Sequence, residues 1–268
     1  MILYLIVYID VKKRALLIGI NYTNAVQRLE GCIEDVINTR NMLIDAYDYE
    51  KQNIIILRDD LDDLSKMPTY ENIMKELDNL VSNSHECSEI WIQYSGHGAQ
   101  LNDNQKPIDV IVPVDFQTAP YIMDTDIHNF IKKINDTCTA IFVFDCCHSG
   151  SLGKLQWTTI VNGIKEIVTI ENRTFDIESM PNPNIYFLSG CKDSQTSADT
   201  YSRELAENVG AFSNAFNECL RDSRHHIDIL TLYKNISACL AKDGYSQTPV
   251  LSTTTSKPSY IFQKTQSK

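Results

Sequence analysis

Residues 139–150 read TAIFVFDCCHSG. A short apolar run, rich in β-branched and aromatic side chains and ended by small polar residues, reads as a strand buried on both faces. Residues 88–98, SEIWIQYSGHG, repeat the pattern: a strand, then Ser95-Gly96-His97-Gly98 at its carboxyl end. Three further runs, residues 14–20 (RALLIGI), 53–57 (NIIIL) and 184–188 (NIYFL), also read as strands. Helical spacing of apolar residues falls between and after them, at 32–46, 69–81, 124–134, 210–220 and 227–241, with Thr69 placed to cap the second. A short extended piece is expected at 111–114 and a last strand at 259–262. Residues 151–183 lack strong periodicity and are expected to form accessible loops. Strands alternating with helices predict an α/β fold: a mainly parallel central sheet with helices on both faces, three layers in all.

The 268 residues suit one such domain rather than two. Hydrophobic residues at 43% can bury a core, which excludes global disorder. The net charge of -11, with no cluster of Arg and Lys rising above it, excludes a general nucleic-acid binder. No stretch reaches the roughly 18 apolar residues of a membrane span. The apolar opening from Ile2 to Ile9 is stopped by Asp10, Lys12, Lys13 and Arg14 and lacks the basic leader and cleavage site of a signal peptide. Residues 1–11 are therefore read as an extension that adds a strand to a domain at 12–268. Of eight cysteines only Cys146 and Cys147 are close together, and no CxxC pair appears. The expected setting is the cytoplasm or another reducing compartment.

The two strand-end motifs hold the chemistry. In open α/β sheets, sites lie beyond the carboxyl ends of the strands, so His97 and Cys147 can meet despite lying 50 positions apart. A cysteine nucleophile needs a base in reach, and the glycines around His97 permit a tight turn that exposes an imidazole. Backbone N–H groups of Gly98 and Cys147 can form an oxyanion hole. Other readings stand beside this one. His97 can be structural, Cys147 a buried thiol. Cys146 competes with Cys147, although neighbours on a strand point to opposite faces. His148 can instead join Cys146 and an acid on a metal. Asp145 at a strand end and Asp35 in a first helical turn suit a guanidinium or ammonium, or are solvated loop acids, Asp35 balancing the helix dipole.

An ordered set of segments resembles the metacaspases, members of the caspase-like cysteine peptidase clan. The segments are residues 12–22 (KKRALLIGINY), 29–36 (LEGCIEDV), 94–98 (YSGHG), 112–115 (VPVD), 145–150 (DCCHSG), 189–199 (SGCKDSQTSAD), 210–216 (GAFSNAF) and 245–252 (YSQTPVLS). The resemblance implies a caspase-like three-layer sandwich and an endopeptidase. It implies His97 as catalytic histidine, Cys147 as nucleophile, and Cys32, Asp35, Ser95 and Asp145 around the substrate residue before the cut. Protein or peptide substrates with Arg or Lys at that position follow. The alternative is a catalytically inactive scaffold on the same fold.

The resemblance also divides the domain into a large-subunit-like part at about 12–155, a loop at about 151–183 and a small-subunit-like part at about 184–268. Neither a leader domain nor the long insertion of two-part relatives is present, so a bare catalytic domain, acting as a monomer, is expected. Many metacaspases respond to calcium held by clustered acids. Here Asp109, Asp124 and Asp126 can offer oxygen ligands, but a position expected to be acidic is Lys154, which opposes a cation. No cofactor is required on this reading, and calcium activation is expected to be weak or absent. Lys165 and Arg173, basic residues in the expected loop, are candidates for slow self-cleavage between molecules.

Overall fold

The computed structural model describes residues 12–23, 25–103, 106–147, 149–162, 166–172, 180–190, 199–202 and 207–265. Residues 1–11, Lys165 and Arg173 lie outside the described residues. In chain order the first half contains β1 (Lys12–Gly19), α1 (Cys32–Tyr47), β2 (Ile54–Arg58), α2 (Tyr70–Asn83), β3 (Cys87–Ser95), β4 (Gly98–Asp103), β5 (Lys106–Ile111), β6 (Ile122–Met123) and α3 (Asp124–Lys132). The second half contains β7 (Thr139–Asp145), β8 (Trp157–Asn162), β9 (Glu166–Glu171), β10 (Ile185–Ser189), β11 (Asp199–Ser202), β12 (Glu207–Gly210), α4 (Ala211–Asp222), β13 (His226–Asp228), α5 (Ile229–Lys242), β14 (Val250–Thr253) and β15 (Ile261–Gln263).

One eight-stranded sheet runs through the domain in the order β2-β1-β3-β7-β10-β14-β8-β9. Its first five strands are mutually parallel, and β14, β8 and β9 continue it by antiparallel pairing. Alternate residues of each inner strand feed opposite cores, as period 2 requires. Leu17, Trp91, Val143 and Leu188 pack with α1, α4 and α5, whereas Leu16, Ile92, Phe142 and Phe187 pack with α2 and α3. Phe142 and Phe187 stack at 5.3 Å between ring centroids. Fully burying side chains of this kind contributes about 1.5–3 kcal/mol each. The three-layer α/β sandwich is thus the observed architecture.

Local chemistry sets the helix starts. Thr69 Oγ1 accepts from Asn72 N–H at 3.2 Å, as its position predicts. α1 has no cap from its neighbouring residue. Asn21 Oδ1 serves instead, accepting from Cys32 and Ile33 N–H at 3.0 and 3.3 Å.

Two expectations are corrected and a third is placed. The segment 151–183 is not simply loop: β8 and β9 form an antiparallel hairpin at the edge of the main sheet. Each is rich in β-branched residues, and the Asn162-Gly163 pair is a hairpin turn signal that helical-period reading overlooks. The extended piece expected at 111–114 lies earlier, in β5, which ends at Ile111. The last strand forms as expected, as β15, and pairs with β13 in a separate two-stranded sheet, while the main sheet takes β14, a short strand at the end of the YSQTPVLS segment.

Candidate active site

β3 and β7 stay in register to their last pair, Ser95 opposite Asp145. Gly96 N–H then donates to the Asp145 carbonyl at 3.3 Å. His97 and Cys147 each follow two residues beyond that pair, so the parallel ladder brings the two turns together. A Cβ at Gly98 would collide with the Cys147 carbonyl oxygen and lie 3.3 Å from Cys146 Cβ, so only glycine lets the turns approach this closely. Cys146 is fully buried in the core beneath α2 and α3, while Cys147 is partly exposed. Ser149 Oγ closes the turn by donating to the Cys146 carbonyl at 2.8 Å. Of the two adjacent thiols, only Cys147 is open to a substrate.

His97 is held from several sides. Its Nε2 lies 2.7 Å from the Gln27 carbonyl oxygen. A carbonyl only accepts, so Nε2 carries the proton and Nδ1 keeps the lone pair of the neutral ring. The Tyr22 ring packs on the imidazole at 4.5 Å between centroids. Tyr22 Oη accepts from His97 N–H at 3.0 Å, and Tyr94 Oη donates to the His97 carbonyl at 2.7 Å. Burial is the main cause that pushes both phenols above the ordinary tyrosine range, so they stay protonated donors. Tyr22 and Tyr94 stand inside the quoted KKRALLIGINY and YSGHG segments without having been singled out. Gln27 acts through its backbone and carries no signal in its side chain.

The acids are not solvated loop residues. Asp35 is 1% and Asp145 5% exposed. Asp35 Oδ1 accepts from Gly210 N–H at 3.0 Å, and Asp145 Oδ2 accepts from Ser213 N–H and Oγ, both at 2.9 Å. A Cβ at Gly210 would collide with Asp145 Oδ2 and lie 2.9 Å from Asp35 Oδ2, so the two carboxylates converge on one point. Ser95, opposite Asp145 and therefore on the same face of the sheet, is fully buried. Its hydroxyl makes no hydrogen bond among the described residues. Cys32 is buried at the start of α1, three residues before Asp35. Gly210 and Ser213 complete this cluster from the GAFSNAF segment, unforeseen because residues 35, 145 and 210 meet only in the folded chain. Two buried carboxylates so close raise each other's cost of ionisation, and a cation between them removes that cost.

The third acidic group is arranged differently. β5 and β6 pair Val110 with Met123, which makes Asp109 and Asp124 the next opposed positions. Both are buried. Lys154 Nζ sits 2.9 Å from Asp124 Oδ1, and Asp109 accepts from Gln100 Nε2 at 2.9 Å and from the Ser151 hydroxyl. Asp126 turns to its own helix start, where Oδ2 accepts from Met123 N–H at 2.9 Å. The ammonium and the cap occupy these carboxylates, so the three do not fit a calcium ion. Among the described residues no three His, Cys, Asp or Glu side chains come together as a metal site. His148, the other metal candidate, lies outside the described residues. No helix among the described residues is long and apolar enough to cross a membrane.

A family model for the metacaspase peptidase C14 domain matches residues 13–156. The chain is 31% identical to Metacaspase-1 of Scheffersomyces stipitis, over 90% of its own length and 70% of that protein. It is equally similar, 31%, to Metacaspase-1 of Schizosaccharomyces pombe, over 90% of its own length and 67% of the relative. Among solved structures, Caspase-1 from Spodoptera frugiperda superposes with a TM-score of 0.59 at 13% identity, covering 91% of this chain and 87% of that one. That last likeness is one of fold, and it makes the three-layer sandwich caspase-like.

Proposed function

The chain belongs to the metacaspase family of cysteine peptidases, and we propose that it cuts peptide bonds after Arg or Lys with Cys147 and His97. The observation that carries this reading is the shared register of β3 and β7, which brings the turns of a partly exposed thiol and an oriented imidazole together. The Cys147 proton passes to His97 Nδ1, and the thiolate attacks the scissile carbonyl. Backbone N–H groups of Gly98 and Cys147 stabilise the oxyanion. His97 then gives its Nδ1 proton to the leaving amine as the C–N bond breaks. Water, deprotonated by His97, hydrolyses the thioester and frees Cys147.

Convergence of Asp35 and Asp145 on Gly210 supports a basic residue before the cut, its charge lying between two carboxylates with Ser95 and Cys32 nearby. Lys154 on Asp124 supports an enzyme that works without calcium. All seven described cysteines are free thiols, which suits a reducing compartment. Burial pushes Cys138 and Cys219 up to about 12, so neither competes as a nucleophile.

A fluorogenic Arg-peptide amide tests the proposal. Wild type hydrolyses it, Cys147→Ala loses at least about a thousandfold in kcat, and Cys146→Ala keeps measurable activity. Slow cleavage after Lys165 or Arg173, read by mass spectrometry, is expected in wild type and absent from Cys147→Ala. Activity in Cys147→Ala with loss in Cys146→Ala reverses the assignment. Wild type inert toward every peptide leaves the scaffold reading in its place.

A further inference from the structure

The strand order makes the carboxyl edge of the sheet a row of chemical groups. Asp145 and Cys147 follow β7, His97 follows β3, Tyr22 follows β1 and Asp59 follows β2. At the Tyr22 end of the row lies an open cleft of about 230 Å³, smaller than the roughly 300–1,000 Å³ of whole ligand sites and so suited to one part of a longer substrate. Tyr22, Ala25, Met67, Val114 and Phe116 give it an apolar lining. One ring separates the cleft from the imidazole: Tyr22 lies 4.5 Å from His97 and 6.4 Å, edge-on, from Phe116, between ring centroids.

The walls are already built. Asp59 accepts from Asn21 N–H at 2.8 Å and Thr23 N–H at 3.1 Å through its two oxygens. Asp115 Oδ1 accepts from Tyr70 N–H at 2.9 Å, and Val114 N–H donates to the Pro68 carbonyl at 3.0 Å. Both acids that line the cleft are thus committed to holding its loops, and among the described residues its lining contains no Lys or Arg.

Reaction direction decides what arrives there. The leaving amine takes its proton from His97, so the residue after the cut sits on the His97 side of Cys147. The acid pair, where Asp145 ends β7 and the donors Gly210 and Ser213 come from β12 and α4, takes the residue before the cut. A substrate chain continuing past the cut therefore runs from β3 toward β1 and β2.

We propose that this cleft is a subsite for one of the first two residues after the cut, accepting an apolar or aromatic side chain and rejecting an acidic one. The proposal rests on the peptidase reading above. Apolar burial against Tyr22 and Phe116 favours the first class. An acidic side chain meets Asp59 and Asp115 with no cation to offset them.

Two substrate sets share one sequence ending in Arg. The first carries a fluorogenic amine directly after Arg. The second continues as a quenched peptide with Leu, Phe, Lys or Asp at the two positions after it. Wild type is expected to favour Leu or Phe over Asp at one position by tenfold or more in kcat/KM. Ala25→Trp, which fills the cleft, lowers the ratio of extended-peptide to amide kcat/KM by tenfold or more, and Phe116→Ala flattens the preference. The wild-type profile tests the idea even where a variant fails to fold. A flat profile after Arg, or unchanged ratios in folded variants, overturns the subsite while leaving the peptidase reading intact. An amide that wild type does not hydrolyse overturns both.

Discussion

Two pairs of buried acids flank the segment that carries Cys147, and they are settled in different ways. In the first, Asp124 is met by Lys154, seven residues after Cys147, whose side chain is 24% exposed against 4% for Asp124, and Asp109 accepts from Gln100 and Ser151. Leu152 and Leu155, both buried, anchor the returning segment around it. Lys154 also adopts φ 44°, a left-handed conformation that costs a β-carbon residue roughly 1–2 kcal/mol. Holding that conformation makes sense where the ammonium meets a desolvated carboxylate. Asp35 and Asp145 are met instead by the Gly210 N–H and by Ser213, around a position where any side chain would collide. The first pair thus takes a cation from the chain on Asp124 and reads as a latch on the segment after Cys147. The second has the Gly210 N–H and Ser213 among its described donors, around a glycine, and on this arrangement the proposed pocket for a basic side chain rests.

The largest expected effect lies in the second pair. Asp145→Ala leaves Asp35 and a substrate guanidinium poorly matched, and such truncations cost about 2–5 kcal/mol. The kcat/KM for an Arg peptide should therefore fall by roughly two to three orders of magnitude, with Asp35→Ala similar. Cleavage mainly after Asp in a peptide library breaks the comparison at this end.

Next comes the latch. Lys154→Met strands the Asp124 carboxylate in a buried place and should lower unfolding stability by about 3 kcal/mol. Adding Asp124→Asn should recover at least half of that, read from urea unfolding. A loss below about 0.5 kcal/mol marks Lys154–Asp124 as an ordinary surface pair and removes the distinction.

Calcium sharpens the same point with a smaller effect. With Lys154 on Asp124 and Asp126 capping α3, activity after chelator treatment should rise less than tenfold, about 1.4 kcal/mol, on adding millimolar calcium. A larger, saturable rise shows that the ammonium is displaced.

The smallest effect is that of pH. His128, on α3 beside the latch, has its Nδ1 3.4 Å from the Gly153 carbonyl, and burial lowers its pKa from 6.5. Burial also lowers that of His225. The unfolded chain then binds more protons than the folded one just below pH 6.5. Stability is full above that pH and declines as pH falls toward the folded pKa values. Thermal unfolding of wild type from pH 7.5 to 5 should show this decline, and His128→Gln should reduce it.

Much of this was written in local patterns. Apolar runs ended by Ser95-Gly-His-Gly98 and Asp145-Cys-Cys-His-Ser-Gly150 declared parallel strands with chemistry at their carboxyl ends, because a strand buried on both faces must be apolar throughout. Helix starts were legible where the cap is adjacent, as at Thr69, and illegible where it comes from afar, as with Asn21 on α1. The β8–β9 hairpin had its turn signal, but its place beside β14 depends on a strand nearly 90 positions later.

The residue types of the centre were a matter of sequence, since thiol, imidazole and carboxylates are chemical identities present before folding. Tertiary structure alone decided which thiol is open, because burial of Cys146 comes from the core beneath α2 and α3. It also decided which nitrogen of His97 is free, because the Gln27 carbonyl that holds Nε2 has no side-chain signature. Finally, it decided which acid pairs with Lys154 and which converge on Gly210. Those partners lie 30 to 175 positions apart in sequence, and only packing of the finished layers fixes such distances.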